Sequence, residues 1–283
     1  MFISQGAREN TERERLSVVL AATLASATLF RFVELPTLVW GVRRILGSPL
    51  QLSFGGDWLL TLLMVGLVAT GTFSLIESHP LHENQERPLV FSLITPTLGT
   101  LLASMLLIRA ISWPVWLVTL LIGGVLIGLL MHLSYCAFSP DSPGYTSART
   151  LLNIADYLLG FALASIILRT QERALITGPA MLALMGLLAC DLLSASAVKW
   201  TREFSRKVLL FSGIIALLVS ELAWVLGYWP VSAWTAATML TLALYLLSGL
   251  SYQYLLGRMT HRVLWEFGVV AMIMFVLVLW IRP

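Results

Sequence analysis

The chain has 283 residues, of which 58% are hydrophobic and 12% are charged, and its formal net charge is +3. Soluble domains carry about 25% charged residues, so this composition excludes an ordinary soluble globular protein. The small net charge comes with no basic patch, and we therefore predict no nucleic-acid partner and take the lipid bilayer as the surroundings of the chain. The two cysteines, Cys136 and Cys190, have no CxxC spacing and predict no disulfide framework.

Residues 1–15 are polar and mixed in charge, and we interpret them as a polar N-terminal segment rather than a cleaved signal. Apolar blocks of about 20 residues follow, the length that crosses a hydrocarbon core of roughly 30 Å. Length favours helices, because membrane β-strands are short and alternating. We predict an all-α polytopic membrane helix bundle forming one domain over 16–283, with nine transmembrane helices and a count of eight left open. The predicted spans are 16–35, 56–77, 91–109, 113–134, 150–168, 176–196, 208–227, 231–255 and 263–281.

Two stretches between spans carry further information. The connection 36–55 predicts either an interfacial helix or a short hairpin, with its arginines and Trp40 in the headgroup region. SWPVW at 112–116 and YWPVSAW at 228–234 each join consecutive spans, and LSY recurs near the end of each following span. A parallel duplication of hairpins 91–134 and 208–255 is one interpretation, and chance similarity in a Leu-rich chain is the other.

The distribution of basic residues predicts the orientation. Because spans alternate in direction, the N-terminus and the connections after spans two, four, six and eight lie on one side, which carries 11 of the 18 Lys and Arg residues. Cytoplasmic loops carry an excess of these residues, so we expect a bacterial cytoplasmic membrane protein with a cytoplasmic N-terminus.

Glu221 lies inside the apolar run LLVSELAWVLGYWP. A charged residue near the bilayer centre costs roughly 2.5–3.5 kcal/mol on insertion scales, so such a residue should face protein or water. On a helical wheel it shares a face with Ser220, Trp224 and Tyr228, and we expect that face to pack inward. Two interpretations stay open: a carboxyl hydrogen-bonded to a neighbouring helix, or a contact for a proton, cation or substrate.

Spans five and six carry a second set of intramembrane polar residues. Asn153, Asp156 and Tyr157 form a stripe on span five, and Asp191 lies on span six at a depth that agrees with Asp156 within about one helical turn. Two acids at one depth on neighbouring helices could share a proton or a cation. The alternative is that Asp191 merely ends its span near water.

The remaining polar residues predict no catalytic or cofactor site. Arg31 and Glu34 are three apart at the end of span one, a spacing that predicts an interfacial ion pair with Arg31 snorkelling. The histidines lack HxxxH or HExxH spacing, and His132 alone falls within a span, so we predict neither a metal nor a haem. No nucleotide-binding or nucleophile motif occurs, and the sequence favours a protein that is not an enzyme.

The elements LGSPL (46–50), ESHP (77–80), GYWP (227–230) and HRVLWEFGVVA (261–271) resemble a family of polytopic membrane proteins from Chloroflexus-type bacteria, classed as a domain of unknown function. The resemblance covers most of the chain. It implies a bacterial inner membrane, and no activity, cofactor or catalytic residue to carry over.

Two functional hypotheses follow from these patterns. Short loops and scarce intramembrane charge favour a structural or accessory protein, with membrane-protein partners or self-association. The intramembrane carboxylates instead favour a small-molecule or proton/cation-coupled transporter.

Overall fold

The computed structural model describes residues 2–33, 38–45, 48–78, 88–139, 144–170, 174–195 and 201–280. Within these ranges the chain forms nine α-helices and one two-stranded antiparallel hairpin. In chain order the elements are α1 Phe2–Phe32, β1 Leu38–Ile45, β2 Ser48–Phe54, α2 Gly56–Glu77, α3 Val90–Ile108, α4 Trp113–Cys136, α5 Tyr145–Arg169, α6 Ala174–Ser194, α7 Arg202–Tyr228, α8 Ala233–Leu255 and α9 His261–Trp280.

Eight helices in the described ranges are long and apolar enough to cross a membrane: α2 to α8, and the Glu14–Phe32 part of α1. The prediction of a helical membrane bundle is confirmed. The polar N-terminal residues are helical too, because α1 begins at Phe2 and continues without a break into its apolar part.

The connection 36–55 contains the hairpin, which was one of its two predicted forms. Strands β1 and β2 pair antiparallel, and the register shifts between Trp40 and Arg43.

Local sequence explains why the joint between α7 and α8 is short. Ser232 begins α8 by accepting a hydrogen bond from the backbone N–H of Thr235, as Thr201 does for Phe204 at the start of α7. Such caps satisfy backbone donors that have no partner within the helix. Pro230 lies between the two helices, where a residue that cannot donate to a helical hydrogen bond is tolerated. The joint therefore occupies only the few residues between Tyr228 and Ala233.

The chain divides into two compact units. The first unit comprises Met1–Glu83 and Pro96–Tyr145. In it α1 packs against α2 and α4. Gly71 of α2 permits this approach, because a Cβ at that position would lie 2.5 Å from the nearest side-chain atom of Val19. Two apolar clusters form the core of this unit, one around Met64 and Trp116 and the other around Val68 and Met131.

The second unit comprises Asn84–Thr95 and Thr146–Pro283. In it α6 packs against α7 and α8, and α8 packs against α9. Gly160 brings α5 close to α6, since a Cβ there would lie 3.0 Å from Cδ1 of Leu188. The prediction of one domain over 16–283 and that of a hairpin duplication both stay predictions.

Candidate functional site

Polar side chains of the second unit, from the beginning of α3 and from α5 and α6, come together at one buried point. The Thr95 hydroxyl of α3 lies 2.8 Å from Oδ1 of Asp156 on α5 and 2.8 Å from Oδ2 of Asp191 on α6. All three side chains are buried: Asp156 is 0% exposed, and Thr95 and Asp191 are each 1% exposed. The two acids that the sequence places at one depth are thus joined through a single hydroxyl.

Arg149 gives Asp191 a counter-charge. Its Nη1 lies 3.3 Å from Oδ1 of Asp191, and its Nη2 donates a hydrogen bond to the backbone carbonyl of the same residue. Arg149 is itself buried, so this is an ion pair shielded from water. Asp191 lies in the last turn of α6, where backbone carbonyls lack helical partners and a cation is stabilised by the helix dipole. Ser194 completes this end of the helix by donating to the Asp191 carbonyl at 2.7 Å.

Hydrogen-bond counting then assigns the charges. A threonine hydroxyl has one proton to donate, yet the Thr95 oxygen lies at hydrogen-bonding distance from two carboxyl oxygens. Both contacts are hydrogen bonds when one of the two acids carries a proton and donates it to Thr95. The charge of Arg149 beside Asp191 favours the ionised form of Asp191, which leaves the proton to Asp156. With this assignment the buried cluster is neutral, which avoids the cost of several kcal/mol for an unpaired buried charge.

Asp156 also has a second carboxyl oxygen, which lacks a hydrogen-bond partner in the described part of the chain. Its Oδ2 is buried and has no hydrogen-bond partner within the described ranges. The same holds for Ser92 Oγ, one turn before Thr95 on α3, and for Asn153 Oδ1, one turn before Asp156 on α5. Buried polar atoms are normally paired with protein or with ordered water. Ordered water is the partner that we expect for these three oxygens, one of which belongs to Asp156 itself.

Tyr157, the remaining predicted member of the α5 stripe, is turned towards α8. Its hydroxyl lies 3.2 Å from Oγ of Ser248, and its ring packs edge-on against Tyr245 at 5.6 Å. The stripe thus divides: Asp156 belongs to the acidic cluster, Asn153 lies one turn before it on α5, and Tyr157 links α5 to α8.

Glu221 does not face inward, and the prediction from the helical wheel is wrong. The residue is exposed, as are Trp224 (58%) and Tyr228 (78%), whose side chains hydrogen-bond to each other at 3.1 Å. The buried face of α7 lies to one side of it and carries small and aliphatic residues: Val208, Ser212, Ile215, Ala216, Val219, Ser220, Ala223 and Leu226. Glu221 therefore does not join the acidic cluster.

The predicted pair of Arg31 and Glu34 stays a prediction, because Glu34 lies outside the described residues. Arg31 does lie over the ring of Trp113, 5.7 Å from its centroid, and Phe32 packs against the same ring. This arrangement is a cation–π contact at the end of the helix.

Sequence reasoning missed two members of the cluster, Thr95 and Arg149. Both carried a usable signal. Arg149 lies seven residues before Asp156, two helical turns along the same face. Thr95 precedes Pro96, which lies inside α3 and cannot donate to the carbonyl four residues earlier. A polar residue next to such a proline inside an apolar helix indicates a candidate polar site within the membrane.

The described residues contain no group of three or more His, Cys, Asp or Glu that could hold a metal ion. A family described as a protein of unknown function, DUF5656, matches residues 36–281 of the chain. No curated protein and no solved structure gives a match to the chain.

Proposed function

Given that the chain belongs to the DUF5656 family, whose function is unknown, we propose its function from the site alone. The protein binds a proton at Asp156 inside the membrane and couples the uptake and release of that proton to the movement of a small solute. The observation that carries this proposal is the Thr95 hydroxyl at 2.8 Å from both Asp156 and Asp191, since a proton on one of the acids makes both contacts hydrogen bonds.

A purely structural role accounts for part of the cluster. The pair of Arg149 and Asp191 secures the end of α6 to α5. Ionisable residues in membrane spans are rare, costly and commonly part of proton relays. An acid kept at this position, with a threonine that can pass its proton towards a second carboxylate, favours proton transfer.

The proton on Asp156 is exchanged with water outside the cluster. When it passes to a water molecule, which becomes hydronium, Asp156 becomes a carboxylate and the cluster gains one negative charge. The Thr95 hydroxyl can then donate to either carboxylate, so both acids compete for the same donors. A buried negative charge is unfavourable, and rebinding a proton or binding a cationic group removes it. In this proposal, the charge of the cluster depends on whether Asp156 holds a proton, and that dependence couples proton binding to solute binding.

Proton movement in vesicles tests the proposal. The protein is reconstituted with a trapped pH-sensitive dye and the membrane potential is clamped with potassium and valinomycin. Amino acids, organic acids, sugars, nucleosides and organic amines are then added in turn. We expect at least one class to drive a pH change inside the vesicles, and Asp156→Asn to abolish it. Glu221→Gln is the matched control, because it also replaces an acid by its amide within a span, and it should leave the response intact.

The proposal is refuted by a wild-type protein that moves no protons with any solute class, or by an Asp156→Asn protein that is as active as the wild type. A competing proposal, a structural or accessory role, draws support from Glu221. That residue lies exposed in an apolar span, where lipid contact would cost roughly 2.5–3.5 kcal/mol if the group were charged. A membrane partner that copurifies stoichiometrically in mild detergent, together with failure of the proton assay, would favour this second role.

We also propose an orientation of the chain in the membrane. We place the start of α5 and the end of α6 on the same side as the N-terminus, because successive spans alternate in direction. The excess of Lys and Arg on that side favours the cytoplasm of a bacterial cell.

A further inference from the structure

We propose that the proton reaches Asp156 from one side of the bilayer, the side on which α5 begins and α6 ends, along a path lined by Ser92 and Asn153. This inference rests on the proposed function, because it states how the proton of that function enters. The side on which α5 begins is called the near side below, and the opposite side the far side.

Two of the three helices place the cluster close to the near side. Asp191 lies three residues before the end of α6, and Thr95 lies five residues after the start of α3. At a rise of 1.5 Å per residue these separations are roughly 5 and 8 Å, against roughly 26 and 20 Å to the far ends of the same two helices. On α5 the position is nearly central, because Asp156 lies 11 residues after Tyr145 and 13 residues before Arg169. The near side is therefore the shorter route along α3 and α6.

The near side of the cluster is polar. Ser92 is 6% exposed, lies on the same face of α3 as Thr95, and has a hydroxyl without a partner among the described residues. Pro96 leaves the Ser92 backbone carbonyl without its helical donor. Asn153 adds a further unpaired oxygen one turn before Asp156. Water molecules that satisfy these oxygens would form a hydrogen-bonded chain ending at Asp156 Oδ2.

On α5 and α6 the residues next to the cluster on its far side are apolar and tightly packed. Leu159 and Leu163 follow Asp156 along α5, and Met185 and Leu188 lie towards the far side on α6; none of the four is more than 4% exposed. Gly160 faces Leu188 so closely that an added Cβ would lie 3.0 Å from its Cδ1. An apolar contact of this kind offers water neither space nor hydrogen bonds.

The charged and titratable groups closest to Asp156 face other partners. Arg149 lies two helical turns from Asp156 on the near side and pairs with Asp191, and Tyr157 directs its hydroxyl to Ser248.

Thiol labelling from each side tests the inference. In a chain with Cys136→Ser and Cys190→Ser, single cysteines are placed at Ser92 or Asn153, and at Leu163 as the matched control on the far side. A membrane-impermeant thiol reagent is applied to sealed vesicles of either orientation. We expect Ser92→Cys and Asn153→Cys to react from the near side and to lose that reaction when the reagent is on the far side. Leu163→Cys should not react from either side.

Two results would overturn the inference: labelling of Ser92→Cys or Asn153→Cys from the far side, or labelling of Leu163→Cys as readily as the other two. If the chain without native cysteines fails to fold, the single cysteines are placed in the wild-type chain instead. The labelling of Cys136 and Cys190 in the unmodified wild-type protein is then subtracted as background. The labelling reports water access whether or not protons drive a solute. Thiol labelling therefore tests one-sided water access, and the pH inside the vesicles tests proton-coupled transport. Either claim can fail without the other.

Discussion

Asp191 and Asp156 should respond very differently to the same chemical change, carboxyl to amide. In Asp191→Asn the Arg149 guanidinium keeps its charge and loses its counter-charge while remaining buried. In Asp156→Asn a neutral acid becomes a neutral amide, which can still hydrogen-bond to the Thr95 hydroxyl. The first change should destabilise the protein strongly, and the second should have little effect.

The magnitude follows from the geometry of the ion pair. Two unit charges 3.3 Å apart attract by about 5 kcal/mol at an effective dielectric constant of about 20. Removing one partner of a buried pair typically costs about 3–5 kcal/mol, because the other charge is left uncompensated. We therefore expect Asp191→Asn to lower the free energy of unfolding by about 3–5 kcal/mol, and Asp156→Asn to change it by less than about 1 kcal/mol.

Unfolding of the purified protein in mixed micelles provides the assay. Denaturing detergent is titrated in, and the fluorescence of the 10 tryptophans reports unfolding. A combined Arg149→Met and Asp191→Leu variant is the control, because replacing a buried ion pair by apolar groups is often neutral or stabilising. That variant should recover much of the stability that Asp191→Asn loses.

Equal losses in Asp156→Asn and Asp191→Asn would refute the reasoning. Such a result would mean that both carboxyls are ionised and share the guanidinium. The assignment of the proton to Asp156, and with it the proposed function, would then fail.

Two further predictions concern packing and the hydroxyl bridge. Gly71→Ala should destabilise the protein by about 1–3 kcal/mol, because its new methyl group would lie 2.5 Å from Val19. Gly66→Ala on the same helix has nothing within 4 Å and should be neutral or slightly stabilising in the same unfolding titration; equal losses would contradict the packing of α1 on α2. Thr95→Val should cost about 1–3 kcal/mol by leaving two buried carboxyls without their shared hydroxyl, and Thr95→Ser should restore stability. A Thr95→Val protein as stable as the wild type would show that the bridge is absent.

Much of the architecture could be predicted before the structure, because it depends on quantities that act along the chain. The thickness of the hydrocarbon core sets the length of each apolar block, and the cost of unpaired backbone groups in lipid requires those blocks to be helical. The common depth of Asp156 and Asp191 could also be predicted, since it follows from a fixed rise per residue on two helices that run in opposite directions.

The rotation of each helix about its axis could not be predicted in the same way. In water, an apolar stripe identifies the buried face of a helix. In a membrane, lipid tails are as apolar as leucine, so the polarity of a face only weakly indicates which neighbour it meets. Glu221 shows the consequence: its face carries Ser220, Trp224 and Tyr228, yet Ser220 alone of these four residues is buried.

The sequence by itself therefore determined that this protein is a bundle of membrane-crossing helices with acids at particular depths. The tertiary structure decided which of those acids meet. Thr95 and Arg149 lie 54 positions apart in the chain, and it is the packing of α3, α5 and α6 that brings both to Asp191. The physical reason is that depth is set by distance along one helix, whereas a shared proton requires side chains from three helices to meet within hydrogen-bonding distance.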